Sequence, residues 1–161
     1  MPLTIVETVY EALYFIFPAY CANAAPVIFG GGTPIDRGRK FRDGRPLFGP
    51  RKTFRGFFAG LIIGTFVGFV EGNILSGFVL SFGALIGDLA ESFFKRRLGL
   101  SPGASLPLAD QLDFVAGALL FSLLTSPPAL PIALTAVIIT PPIHILTNFL
   151  AYLVGVKKER W

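Results

Sequence analysis

Two short runs hold most of the chemistry this chain can offer. In Gly87-Asp88-Leu89-Ala90-Glu91-Ser92-Phe93-Phe94-Lys95-Arg96-Arg97, Asp88 and Glu91 are three residues apart and Lys95 follows Glu91 by four. On a helix these three share one face. Asp110 and Asp113 repeat the three-residue spacing a little further on. Four carboxylates beside several cations suit a hard divalent ion such as Mg²⁺ bridging phosphate oxygens. Asp88 weighs most, because it lies inside an apolar stretch, where a carboxylate is costly and functional by default. Asp110 has a second reading as a helix N-terminal cap. Lys95, Arg96 and Arg97 have one as membrane-topology anchors.

A third region reads as an anion-binding loop. Asn23 and Pro26 precede Gly30-Gly31-Gly32-Thr33-Pro34-Ile35-Asp36, then Phe41-Arg42-Asp43-Gly44-Arg45, then Lys52-Thr53-Phe54-Arg55-Gly56. Glycines let backbone N–H groups approach an anion, while Arg and Lys supply charge and forked donors for phosphate. Lys52, Thr53 and Arg55 stand at the mouth of an apolar stretch, where three donors could meet one ligand. The run is not a P-loop, since the glycine frame and the preceding strand are both missing. Basicity alone would equally suit anionic lipid headgroups; the interspersed Gly, Asp and Asn favour ordered binding.

These candidates need elements to hold them, and the charge pattern says what those are. All 14 Lys and Arg residues fall into three blocks. They are Arg37–Arg55, Lys95–Arg97, and Lys157, Lys158 and Arg160, with long cation-free apolar stretches between. Hydrophobic residues make up 53% of the 161, with 17 Phe and 18 Gly, and the mean hydropathy is +0.66. That excludes an ordinary soluble domain and points to one integral-membrane domain, residues 1–161. The apparent isoelectric point near 9.5 reflects cations beside membrane spans, so no nucleic-acid partner is expected.

Spans are expected at about 3–20, 56–70, 74–94, 110–125 and 129–156, with loops at 21–55 and 95–109. The positive-inside rule then puts the N-terminus outside, the C-terminus in the cytoplasm, and both basic loops on the cytoplasmic side, forming the site. Pro141-Pro142 should kink or break the fifth span. A cleaved leader is not expected, because Glu7 and Glu11 interrupt the first apolar stretch and no cationic segment precedes it. The lone Cys21 excludes an intrachain disulfide and reads as a small packing residue. His144 and Asn148, four apart, read as a polar contact between helices.

Residues 87–113 resemble the CDP-diacylglycerol synthase (phosphatidate cytidylyltransferase) superfamily. Gly87-Asp88, Ser92, Lys95-Arg96, the Gly99–Pro107 loop and Asp110-x-x-Asp113 follow its order and spacing. Gln111 stands where that family usually has Arg, and its His-Gly-Gly run is absent. Together with Asn23/Pro26, Pro34-x-Asp36, Phe41–Arg45 and Lys52–Gly56, this is similar to the compact archaeal branch, the CDP-archaeol synthases.

The resemblance implies a cell-membrane, multi-pass enzyme joining CTP to 2,3-bis-O-geranylgeranylglyceryl phosphate with release of pyrophosphate. It implies Mg²⁺, one ion or two, with K⁺ a possible assistant. By carry-over, Asp88, Asp110 and Asp113 are metal ligands, directly or through water, and Lys95 and Arg96 handle phosphate. The first loop covers CTP, with Asn23, Lys52, Thr53 and Arg55 as its strongest candidates and Arg45 and Glu91 beside them. Membrane lipids surround the whole, and the oligomeric state is open. A cytidylyltransferase acting on phosphatidic acid fits the same residues.

Two other classes compete. A transporter for an anionic substrate should carry polar residues through all depths of its spans, whereas here they cluster at the inner ends. A CDP-alcohol phosphotransferase needs Asp-Gly-x-x-Ala-Arg followed by Gly-x-x-x-Asp-x-x-x-Asp, and neither run occurs.

Overall fold

The computed structural model describes residues 3–156 as five α-helices joined by turns and two longer connections. They are α1 (Ile5–Phe29), α2 (Phe54–Val70), α3 (Ile74–Arg97), α4 (Ala109–Ser122) and α5 (Leu130–Leu153). No β-strand occurs among the described residues, where pairing is limited to the isolated bridges Pro34–Thr53 and Lys40–Pro46. Three helices (α1, α3 and α5) are long and apolar enough to cross a membrane; α2 is apolar but has 17 residues, and α4 has 14. The terminal cations Lys157, Lys158 and Arg160 lie outside the described residues.

Local chemistry explains most helix ends. Thr4 and Glu7 form a capping box at α1: the Thr4 hydroxyl accepts the Glu7 N–H, and Glu7 accepts the Thr4 N–H at 2.7 Å. Thr53 caps α2 by accepting the Gly56 N–H, and Asn73 caps α3 by accepting the Ser76 N–H at 3.0 Å.

The structure departs from the sequence expectation most clearly in three places. The third helix runs on through Lys95, Arg96 and Arg97, so the second connection is 98–108 rather than 95–109. The first helix does not stop at Tyr20 but continues through Cys21-Ala22-Asn23-Ala24-Ala25 to Phe29, so the connection is 30–53 rather than 21–55. Alanine is the strongest helix former, and here it outweighs the punctuation that Pro26 supplies. Likewise α5 runs unbroken through Pro141 and Pro142. Prolines are tolerated in membrane helices where neighbours compensate for the missing donors. Immediately before them, the Thr140 hydroxyl donates to the Ala136 carbonyl at 2.6 Å and accepts from Tyr20 of α1 at 2.8 Å.

The molecule is inside-out by soluble standards. Its buried core is small, built from Ala12, Ile16, Ala19, Leu80, Ala84, Phe114, Val115, Ala118 and Ala136. Large side chains such as Phe58, Ile62, Phe66, Leu134 and Ile138 point outwards instead. Lipid is as apolar as leucine, so helices associate through close backbone approach. Gly56, Gly60, Gly64 and Gly68, spaced by four, form the buried face of α2. A Cβ on Gly64 would lie 2.6 Å from the Pro18 carbonyl oxygen of α1 and 2.0 Å from Ser81 Oγ of α3. Gly83 and Gly87 of α3 meet Gly117 of α4 in the same manner. This second seam brings the two carboxylate-bearing helices together.

Candidate active site at the ends of α3 and α4

The 30–53 connection is ordered around one buried carboxylate. Asp36, 4% exposed, accepts the N–H groups of Gly38 at 3.0 Å, Phe48 at 3.1 Å and Gly49 at 2.8 Å. Burial alone would raise its pKa, but those three donors outweigh burial and hold the carboxyl below its ordinary value. A tight turn follows, in which Phe41 N–H donates to the Arg45 carbonyl and Gly44 sits at φ 76°.

Two arginines latch this connection to the C-terminal end of α3. Arg97 donates to the Pro46 carbonyl, pairs with Asp43 at 3.1 Å, and lies over the rings of Phe41 and Phe93 at 4.9 and 4.7 Å. In the opposite direction Arg45 donates to the carbonyls of Arg96 and Arg97. Cationic donors are favoured there, because the last carbonyls of a helix lack partners and carry its negative pole. Arg51 stacks so tightly on the second connection that a Cβ on Gly103 would fall 2.2 Å from its guanidinium carbon.

With the latch closed, Lys52 reaches Asp88. Its ammonium meets both carboxylate oxygens, at 2.7 and 2.6 Å, and each side chain retains about a quarter of its exposure (26% and 23%). Two turns further along α3, Lys95 is the centre of a second cluster, 2.8 Å from Glu91 and 2.5 Å from Asp110 of α4. Asp110 also accepts the Leu106 N–H at 3.2 Å with either oxygen, so it stabilises the start of α4 as well as pairing with Lys95. Asp113 packs through its backbone onto Gly87, and its carboxylate accepts the Phe114 N–H at 2.6 Å. That carboxylate lies within charge reach of Asp88, Glu91 and Lys52.

Arg96 is the outlying charge. It is 4% exposed, its Nε and Nη1 are buried without hydrogen-bond partners, and Arg51, Arg97 and Glu91 surround it electrostatically. A buried cation short of partners is expensive unless an anion completes it.

The fold therefore converges Lys52, Asp88, Glu91, Lys95, Arg96, Asp110 and Asp113 at one end of the bundle. It sorts them as Lys52–Asp88 with Asp113 nearby, and Glu91–Lys95–Asp110. Among the described residues, no three of His, Cys, Asp and Glu group as ready-made metal ligands. The other candidates have local structural partners or positions. Thr53 caps α2, Arg45 holds the end of α3, Arg55 is exposed in the first turn of α2, and Asn23 is half-buried within α1. His144 and Asn148 meet each other across one turn of α5, with 3.2 Å between Nδ1 and Nδ2.

Sequence reasoning missed Asp36, Asp43 and Arg97 as organisers. Asp36-x-Gly38 and Asp43-Gly44 were the available signals, since an Asp just before a Gly commonly closes a turn.

Residues 5–161 match a family model described as CarS-like, CDP-archaeol synthase. A CDP-archaeol synthase of Methanosarcina mazei is 45% identical over 175 aligned residues, covering 91% of this chain and 100% of the relative. That of Methanocaldococcus jannaschii is 40% identical, covering 94% and 97%. A solved structure of an intramembrane enzyme for archaeal membrane lipids biosynthesis superposes with a TM-score of 0.79 at 38% identity, over 87% of this chain and 94% of that one.

Proposed function

The chain belongs to the CDP-archaeol synthase family and is a CDP-archaeol-forming cytidylyltransferase of the membrane; from that premise we propose how its residues divide the work. The substrates are CTP and 2,3-bis-O-geranylgeranylglyceryl phosphate. An oxygen of the lipid phosphate attacks the α-phosphorus of CTP, the bond from that phosphorus to the bridging oxygen breaks, and pyrophosphate leaves with the electron pair. No enzyme nucleophile is needed. The difficulty is electrostatic, because two polyanions must come within bonding distance.

Arg96 is the observation that carries this reading. Its buried Nε and Nη1, without hydrogen-bond partners, offer forked donors to a phosphate oxygen. Lys95 is fixed by Glu91 and Asp110, so it supplies positive charge at a set position as pyrophosphate departs. Lys52, on a longer leash, reaches the nucleotide phosphates, and Thr53 and Arg55 flank it at the head of α2.

The donor set fits a divalent cation. Asp88 and Asp113 lie within charge reach of one another, and carboxylate oxygens are the ligands that hard cations take. Asp88 and Asp113 would hold Mg²⁺, with Asp110 contributing through water, and the ion would neutralise charge on the reacting phosphates. One or two ions, and K⁺ beside them, are compatible with this set.

The basic connections face the cytoplasm of the cell membrane, where CTP resides, and the isoprenoid chains lie against the exposed apolar flanks of the helices.

The test is pyrophosphate release by detergent-purified protein given CTP, Mg²⁺ and either the ether-lipid phosphate or phosphatidic acid. Release requiring both nucleotide and ether lipid is expected, and Arg96→Ala should lower it at least tenfold. Equal turnover of both lipids would remove the tail assignment, and undiminished turnover in Arg96→Ala would remove the phosphate role of that residue.

A further inference from the structure

We propose that Lys52 is a placeholder cation, holding Asp88 until metal and triphosphate arrive together and then passing to the phosphate. The inference deepens the reading above and rests on its assignment of Asp88 as a cation ligand. Three observations carry it. One ammonium occupies both oxygens of Asp88, at 2.7 and 2.6 Å, so the face a metal would chelate is already taken. The backbone of Lys52 is anchored, with Ile35 N–H donating to its carbonyl at 2.8 Å and its own N–H donating to Gly49 at 3.3 Å. The side chain is not similarly enclosed: at 26% exposure, its four-carbon stem can swing while the loop stays closed.

Charge then dictates the order of events. Asp88 would attract a divalent ion even without nucleotide, but Lys52 cancels its charge. An ion entering alone must displace the ammonium, which is left beside a new dication with no anion to meet it. A triphosphate removes both obstacles, since it offers Lys52 another partner and brings negative charge for the ion. Metal and nucleotide are therefore coupled, each raising the affinity of the other. A free Lys52 also arrives at the nucleotide only once the carboxylate it leaves has been neutralised.

The measurement is binding of Mn²⁺ alone to detergent-purified full-length protein, with free Mn²⁺ counted by electron paramagnetic resonance and no nucleotide present. Wild type, Lys52→Met, Lys52→Gln, Asp88→Asn and the double variant Lys52→Met/Asp88→Asn are compared, each checked for fold by circular dichroism and gel filtration. Lys52→Met and Lys52→Gln should each bind Mn²⁺ on the order of tenfold more tightly than wild type. The double variant should lose that gain. Unchanged or weaker binding in both folded Lys52 variants overturns the placeholder role while leaving Asp88 as ligand, provided Asp88→Asn binds less than wild type. A gain that survives Asp88→Asn overturns the assignment of Asp88 itself. Loss of the fold in both Lys52 variants also overturns the proposal, since the pair would then be structural.

Discussion

Gly87 lies directly against the backbone of Asp113, so that a Cβ on the glycine would come 2.2 Å from the Asp113 carbonyl oxygen. The contact sets the distance between α3 and α4, and the next residue on α3 is Asp88. Gly87→Ala must therefore push the two helices apart, and backbone cannot yield as a flexible side chain would. Overpacking of this kind typically costs about 1–3 kcal/mol. The expected result is a lower thermal midpoint in detergent together with a loss of pyrophosphate release larger than the stability loss explains. A variant with wild-type turnover would show that the seam does not set the site.

Lys95 neutralises two carboxylates at once, Glu91 and Asp110, with about a tenth of its side chain exposed. Lys95→Met leaves both charges unpaired in a poorly solvated place, and removing one partner of a buried ion pair costs about 3–5 kcal/mol. Adding Glu91→Gln and Asp110→Asn should restore much of the thermal stability, because no unpaired charge then remains. Activity should not return with it. Stability and turnover recovering together would reduce Lys95 to a structural role.

Arg97 joins the 30–53 connection to α3 by a carbonyl contact, an ion pair and two aromatic faces. Lysine keeps the charge but cannot fork or stack as a guanidinium does. Arg97→Lys should therefore loosen the connection, seen as faster proteolytic cleavage within residues 30–53, and raise KM for CTP more than it lowers kcat. Unchanged cleavage and KM would mean that Arg45 alone suffices as the latch.

How far the sequence revealed these arrangements depended on the range of the interaction involved. Helix number and the two basic connections were legible because hydropathy and charge sorting are properties of single segments. The extent of α1 was not, since Pro26 reads as punctuation locally while the run Ala22–Ala25 carries the helix past Tyr20. Asp88, Lys95, Asp110 and Asp113 stood out as candidates by their types and depths, but the partners the fold gives them did not. Lys52 meets Asp88 and Lys95 meets Asp110 because glycine seams fix how the helices rotate against one another. The Gly56, Gly60, Gly64 and Gly68 spacing was the available signal for the first of those seams. Arg97 read as a topology anchor because its ring and carbonyl contacts come from a connection some fifty residues away.

Asp36 makes the same connection sensitive to acid, and the sign follows from its environment. The N–H groups of Gly49, Gly38 and Phe48 overcome burial and hold the folded carboxyl below its ordinary value, near 3.9 in unfolded chains. Its stabilisation is thus fully present above about pH 4 to 5 and is lost as the pH falls through the lower folded value. Asp36→Asn should speed cleavage of residues 30–53 by a constant factor between pH 5 and 8, and the gap to wild type should narrow only in stronger acid. A gap that instead closed on raising the pH towards 8 would contradict the donor arrangement.

A substitution at Asp113 tests the proposed cation site with the least disturbance to the fold. Its backbone forms the seam with Gly87, whereas its carboxylate is bonded only locally, to the Phe114 N–H, and otherwise faces the charges of Asp88, Glu91 and Lys52. Asp113→Asn preserves shape and the seam while removing one carboxyl of the pair. It leaves the backbone contact with Gly87 intact, so the thermal midpoint should hold or rise. A cation between the two positions would lose half of its charged ligands, and pyrophosphate release should fall by at least a hundredfold, the upper range for weakened metal-site support. Raising Mg²⁺ should recover part of that loss if the carboxylate acts through the ion. Near-normal turnover at ordinary Mg²⁺ would withdraw Asp113 from the cation site and leave Asp88 to act without it.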